Sequence, residues 1–208
     1  MRRTARFLSL CSILSLATAA PASAEWHLAP LAGLTFGGNT TIIDLFKGAG
    51  NVHWHFGGAA TLIGAGPIGV EALFLLTPSF FEQNPEGLSL DPGFIRVRDS
   101  RVLALMGNVV IAAPRGWNEY GLRPFLSGGL GLLRTNGTDT ENIFPLLQNG
   151  LGYNLGGGAV GFLTDRTGLR FDLRYFRMRS RDDPRITVSD KVRLSYWAGS
   201  IGLVFRFS

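Results

Sequence analysis

Cysteine is all but missing from this sequence. The single one, Cys11, lies inside the apolar run near the start of the chain and follows Leu10, not the small residue that a lipoprotein site requires. From residue 25 onward there is none, which excludes a disulfide framework and thiol chemistry. Long apolar runs are also lacking. After the first residues no stretch stays apolar for the roughly 20 residues that a membrane-spanning helix needs. Blocks of lysine and arginine are absent too. The isoelectric point of about 10.0 suggests a nucleic-acid partner, but the first 24 residues hold three of the 20 basic residues and none of the 15 acidic ones. The remainder therefore carries 17 − 15 = +2. Its basic residues are almost all arginine and are dispersed, with no RNA-binding motif, so no nucleic-acid partner is expected. The 28 glycines include no phosphate loop, because none leads into a helix through Lys-Ser/Thr.

What is present begins with an export signal. Arg2, Arg3 and Arg6 form a basic segment, residues 7–17 an apolar core, and Ala22-Ser23-Ala24 a small-residue cleavage site after Pro21. Residues 1–24 are thus expected to be a cleaved secretory signal peptide. Residues 25–208, 208 − 24 = 184 in number, suit one domain. Its mean hydropathy is positive, at +0.19 for the whole chain. An exported, hydrophobic chain without a helix-length span is either a soluble all-β domain or a membrane barrel, whose strands each give a signal of about ten alternating residues.

Eight alternating segments can be counted, at residues 26–37, 52–63, 68–76, 102–112, 123–134, 153–163, 169–178 and 195–207. Each has one apolar face of period two, the signature of a strand. In the first this face holds Trp26, Leu28, Ala32, Leu34 and Phe36; in the last, Trp197, Ile201, Leu203, Phe205 and Phe207. The opposite face is small or polar, with Thr35, Thr61, Glu71, Asn108, Ser127, Asn154, Arg170, Asp172, Arg174, Ser200 and Arg206. Arg170, Asp172 and Arg174 alternate with Leu169, Phe171, Leu173 and Tyr175. In a barrel in lipid the apolar row faces acyl chains and the charged row the lumen. Glycines inside such strands would weaken a soluble sandwich and suit the tight curvature and crowded interior of a small barrel.

The connections favour the membrane. The odd ones (residues 38–51, 77–101, 135–152 and 179–194) are expected to be longer than the even ones (64–67, 113–122 and 164–168) throughout. Outer-membrane barrels have short periplasmic turns and longer outer loops. With an even strand count both chain ends then lie in the periplasm. Trp26, Trp54, Phe74, Tyr153, Tyr175, Trp197 and Phe207 fall near segment ends, as in two interfacial aromatic girdles. The expected fold is all-β, an eight-stranded antiparallel up-and-down transmembrane barrel in the bacterial outer membrane.

Several stretches resemble the OmpA-like family of small outer-membrane β-barrel proteins. RPFLSGGLGL at residues 123–132 is similar to that family's fifth strand, and GGGAVGFLTDRTGLRFDLRYF at 156–176 to its sixth and seventh strands with their tight turn. The closing GLVFRF is similar to its last strand, although Ser208 follows Phe207. The resemblance spans residues 25–208 in pattern and about a third of them in motif. It implies the barrel domain alone, without the peptidoglycan-binding domain of larger relatives. It also implies as partners outer-membrane lipid and lipopolysaccharide, with the barrel-assembly machinery and periplasmic chaperones during export. Activity is not implied, because the family includes structural, pore-forming and adhesive members.

No enzyme is expected: serine and histidine show no nucleophile–base spacing, and the sequence indicates no cofactor. His53 and His55 share one strand face and could hold a metal, but two ligands are too few and His27 is at the other end of its strand, so no metal site is expected. The pair reads instead as polar residues at the outer rim of the lumen. Asp182, Asp183 and Asp190 read as a solvated loop. The side chains expected to matter are Glu71, Arg170, Asp172 and Arg174, as one lumen charge network. Eight strands leave an interior that side chains fill, and unpaired charges there are costly. The implied role is structural or envelope-associated, extending to a narrow or gated porin-like channel. The alternatives are a surface binding or adhesion protein using four long loops and, with the least support, a lipid-modifying enzyme.

Overall fold

The computed structural model describes residues 24–40, 52–64, 66–80, 97–114, 122–139, 148–179 and 194–207. The expected signal peptide, apart from Ala24, and the loop aspartates 182, 183 and 190 lie outside these residues. Eight strands follow one another: β1 Glu25–Thr40, β2 His53–Ile63, β3 Ile68–Pro78, β4 Val97–Ala112, β5 Leu122–Asp139, β6 Gln148–Phe162, β7 Thr167–Arg179 and β8 Leu194–Phe207. Each pairs antiparallel with the next, and β8 closes on β1.

Closure sets the shape. Following the register once around, Arg177 pairs with Tyr153, then Leu130, Gly107, Ala72, Ala60, Leu28 and Phe205, and returns to β7 at Thr167, ten residues lower. That displacement tilts the strands by roughly 40°. The ten residue steps from Trp26 to Phe36 then rise about 25 Å, the height of the apolar band of an outer-membrane barrel. Near the top of β1, Gly37 has φ 61°, where a side chain would be strained, and the pairing of β1 with β8 shifts register between Phe36 and Asn39.

The connection lengths need one correction. Thr135 continues in register against Gln148, so β5 and β6 absorb residues that the sequence reading assigned to a long loop. The fifth connection is left with residues 140–147, eight in all, and the fourth with residues 113–121, nine in all. Odd connections therefore do not exceed even ones throughout. Glu25 at the start of β1 and Phe207 at the end of β8 share one end of the barrel with the connections 64–67, 113–121 and 163–166, called here the turn end; the other is the loop end.

Strand alternation sorts the side chains. The rows identified as apolar point outward: Leu130 is 73% exposed and Leu155 65%. Such exposure, repeated on every strand, suits a surface bathed in lipid and is far beyond what a soluble domain shows to water. The inward row corrects a second expectation. It is not merely small or polar, since Leu31, Leu73, Leu75, Met106, Phe125, Leu133, Phe176 and Tyr196 are buried in it. An eight-stranded lumen is narrow enough to be packed solid; large apolar residues fill its ends, and Leu31 and Leu73 pack beside its middle.

Candidate functional site

The lumen is stacked in three layers. At the loop end Phe80 turns inward and packs edge-to-face on Tyr196, with ring centroids 5.2 Å apart, while Tyr196 stacks on Phe176 at 5.0 Å. Leu133, Val102, Met178 and Leu194 complete this cap. At the turn end Phe125, Val160, Phe162, Ile63 and Val204 line a cavity of about 30 Å³ together with His27 and Arg123, room for roughly two waters. Arg123 holds the turns below it, donating to the carbonyls of Ala113 at 2.7 Å and Gly66 at 2.8 Å.

Between these layers lie the charges. The period of two brings Arg170, Asp172 and Arg174 to one face of β7, and Glu71 stands on β3, four strands away and so across the bore. The arginines reach over to it. Arg170 Nη2 lies 2.6 Å from Glu71 Oε2, and Arg174 Nη2 lies 2.8 Å from Glu71 Oε1. Asp172 binds both arginines: Arg174 Nε donates to Oδ1 at 2.7 Å and its Nη2 to Oδ2 at 2.8 Å, while Arg170 Nη2 donates to Oδ2 at 2.6 Å. All four residues of the network are buried. Two cations meet two anions in paired, multiply hydrogen-bonded geometry, the condition under which buried charge is tolerated. Arg170 also covers the Phe125 ring, its guanidinium carbon 4.6 Å from the centroid.

The network is wider than the four residues singled out from sequence. Glu71 accepts from Thr61 Oγ1 at 3.1 Å and from Asn108 Nδ2 at 3.0 Å. Asn154 Nδ2 donates to Asn108 Oδ1 at 2.6 Å. That bond leaps over β5, because the residue between is Gly129, where an added Cβ would come within 2.3 Å of Asn108 Oδ1 and 2.0 Å of the Gly107 carbonyl. The same device recurs opposite. His55 Nε2 and Ser200 Oγ share a 2.8 Å hydrogen bond across β1, where Gly33 pairs with both residues. Ser200 is in turn the register partner of Asp172. Alternation placed Thr61, Asn108, Asn154 and Ser200 on the inner face but gave no heights. Heights come from the register, and the glycines at 33 and 129 were its only local trace.

The histidines also differ from the sequence reading. His55 is fully buried beneath the aromatic cap and not at the rim, because β2 starts beside Phe80. His53 stacks on Phe80, with centroids 5.6 Å apart. Among the described residues no three His, Cys, Asp or Glu side chains are grouped as metal ligands.

No family profile matches the chain, and no curated protein matches it in sequence. Solved structures do match. Neisserial surface protein A superposes with a TM-score of 0.57 at 11% identity, over 86% of this chain and 97% of that one. The outer membrane protein OprG of Pseudomonas aeruginosa gives 0.53 at 16%, over 89% and 96%. The attachment invasion locus protein Ail of Yersinia pestis gives 0.51 at 14%, over 89% and 99%. At such identities the likeness establishes the fold, that of the small eight-stranded outer-membrane barrels to which the OmpA-like resemblance pointed. The continuous apolar exterior and this fold together place the chain in the bacterial outer membrane.

Proposed function

We propose that the protein is a non-enzymatic envelope barrel whose lumen is shut by its own charges, so that any passage of small solutes requires these pairs to part. The observation behind this reading is the span of the network: Arg170 and Arg174 on β7 reach Glu71 on β3 at 2.6 and 2.8 Å. The bore is bridged from wall to wall, with apolar layers on both sides. Lipid surrounds it, and its assembly follows the route of other barrels, through periplasmic chaperones and the barrel-assembly machinery. The test is planar-bilayer conductance of the refolded protein. The wild type is expected to show no sustained porin-type current, and Glu71→Ala with Asp172→Ala to raise conductance, because the two arginines then lose both anions. Equal conductance in both proteins, with equal stability, would overturn the reading.

A second reading, surface binding, is favoured by one observation. β4, β5 and β6 run past the apolar band, with Val97 paired to Asp139 and Thr135 to Gln148, and raise a three-stranded wall above one side of the barrel. Binding of cells or matrix by variants lacking residues 140–147 tests it.

A further inference from the structure

Among the residues whose side chains are described, the outward rows of the strands carry three charged residues, all of them arginines at the loop end: Arg101 on β4, Arg134 on β5 and Arg177 on β7, each exposed. Their levels follow from the register. One circuit displaces the pairing by ten residues over eight strands, or about 1.25 residues per strand. With Arg177 opposite Tyr153, Tyr153 opposite Leu130 and Leu130 opposite Gly107, the three arginines fall within about 5 Å of one level. On the other side of the barrel the same level is occupied by Phe36, Trp54 and Trp197, all exposed. Aromatic side chains of this kind mark the boundary between hydrocarbon and headgroups. The rim at that boundary is therefore aromatic on β8, β1 and β2, and carries arginines on β4, β5 and β7, with Tyr153 of β6 beside Arg177.

We propose that this arginine arc binds the phosphate groups of lipopolysaccharide lipid A in the outer leaflet. The inference rests on the loop end facing outward, as the outer-membrane reading has it. Several observations favour a lipid headgroup over a soluble ligand. The arginines occupy the lipid-facing rows, next to Leu103, Leu132 and Leu151, and they lie at headgroup depth, below the wall raised by β4 to β6. Among the residues whose side chains are described, no carboxylate pairs with them; Arg134 Nε donates to Asn136 Oδ1, at 3.2 Å. Planar guanidinium groups offer phosphate paired donors. Asn136 and Asn149 stand in the adjoining outward positions and can donate to the same oxygens.

The test uses the full chain refolded in maltoside micelles and titrated with bisphosphorylated lipid A. Arg101→Gln, Arg134→Gln and Arg177→Gln combined should weaken binding by about tenfold or more, while Arg166→Gln in the turn at the other end should leave it unchanged. Lipid A stripped of both phosphates should bind the wild type as weakly as the intact lipid binds the triple variant. Gel-shift folding is checked for each protein; should the triple variant not fold, Arg134→Gln and Arg177→Gln singly must each weaken binding. Variants that bind like the wild type, or stripped lipid A that binds like the intact lipid, would overturn the proposal. So would displacement of lipid A by equimolar inorganic phosphate, which would mark a small-anion site instead. Orientation is read separately: a cysteine placed by Asp165→Cys must resist labelling from outside intact cells. Labelling there removes the outward loop end without bearing on phosphate affinity, so the two failures are distinguishable.

Discussion

Leu173 and Arg174 are neighbours on β7, yet one is 47% exposed and the other 2%. Leu173 stands in a row whose only requirement is to be apolar, since any hydrocarbon side chain serves against acyl chains. Arg174 stands in a lumen where every donor needs a named partner at a fixed height. The outside of the barrel tolerates exchange of one apolar residue for another, whereas the inside is a set of specific pairs. The two faces should therefore respond differently to the same kind of damage.

The largest effect is expected where one member of the network is removed. Arg174→Ala leaves Glu71 and Asp172 buried with a single arginine between them, and breaking a buried pair costs about 3–5 kcal/mol. Urea unfolding in phospholipid vesicles, followed by gel shift, measures it. Replacing all four network residues by leucine or methionine should cost much less than this single change, because no uncompensated charge remains. A quadruple variant less stable than Arg174→Ala would mean that the charges do more than neutralise one another.

The converse experiment puts a charge outside. Leu173→Arg places a guanidinium against lipid near mid-membrane, at a cost of about 2–4 kcal/mol. Leu173→Ile should change stability little, by less than about 1.5 kcal/mol. The same urea assay separates the two, and a Leu173→Arg barrel as stable as the wild type would contradict the lipid-facing assignment of this row.

Gly129 tests the lumen without touching a charge. Gly129→Ala drives a methyl into the Gly107 carbonyl and Asn108 Oδ1, and the backbone and the Asn108–Asn154 bond must shift to admit it. Overpacking of this kind costs about 1–3 kcal/mol. Gly161→Ala, on the outward row, meets only the end of Leu122 at 3.5 Å and should be tolerated. Equal loss at both positions would remove the distinction between the faces.

These contrasts also explain how much could be read from sequence. All eight strands and the outward row were legible, because a period of two needs no knowledge of partners. The grouping of Arg170, Asp172 and Arg174 was legible as well, since they share one strand. That Glu71 meets them depends on β3 standing opposite β7 and on a displacement of ten residues around the barrel, which no local pattern encodes. The apolar caps were missed because Phe176 and Tyr196 alternate as well on the inner face as polar residues do. The length of the fifth connection was misjudged because Thr135, Asn136 and Asn149 look like loop residues, and their strand character comes from pairing across the hairpin.

The smallest effect is expected at the turn between β6 and β7, where the hydrogen bonds are fewer than in the lumen and stand in water. Thr164 Oγ1 accepts from the backbone of Thr167 at 3.0 Å and of Arg166 at 3.3 Å, and shares a 2.7 Å bond with the Thr167 hydroxyl. Thr164→Val removes all three, yet the freed groups are exposed and water takes them up, so the net loss should be about 0.5–1.5 kcal/mol. Asn154→Ala also removes a single side chain, but Asn108 then keeps a buried carbonyl oxygen without its 2.6 Å donor, and an unsatisfied buried group costs about 1–3 kcal/mol. The turn is pinned besides by Leu163 and Thr164 amides donating to the Thr167 carbonyl at 3.0 and 3.1 Å, which the substitution does not touch. Measured side by side by urea titration, Asn154→Ala should therefore lose more than Thr164→Val. The reverse order would mean that water reaches the middle of the lumen, and that the layers above and below the charges do not seal it.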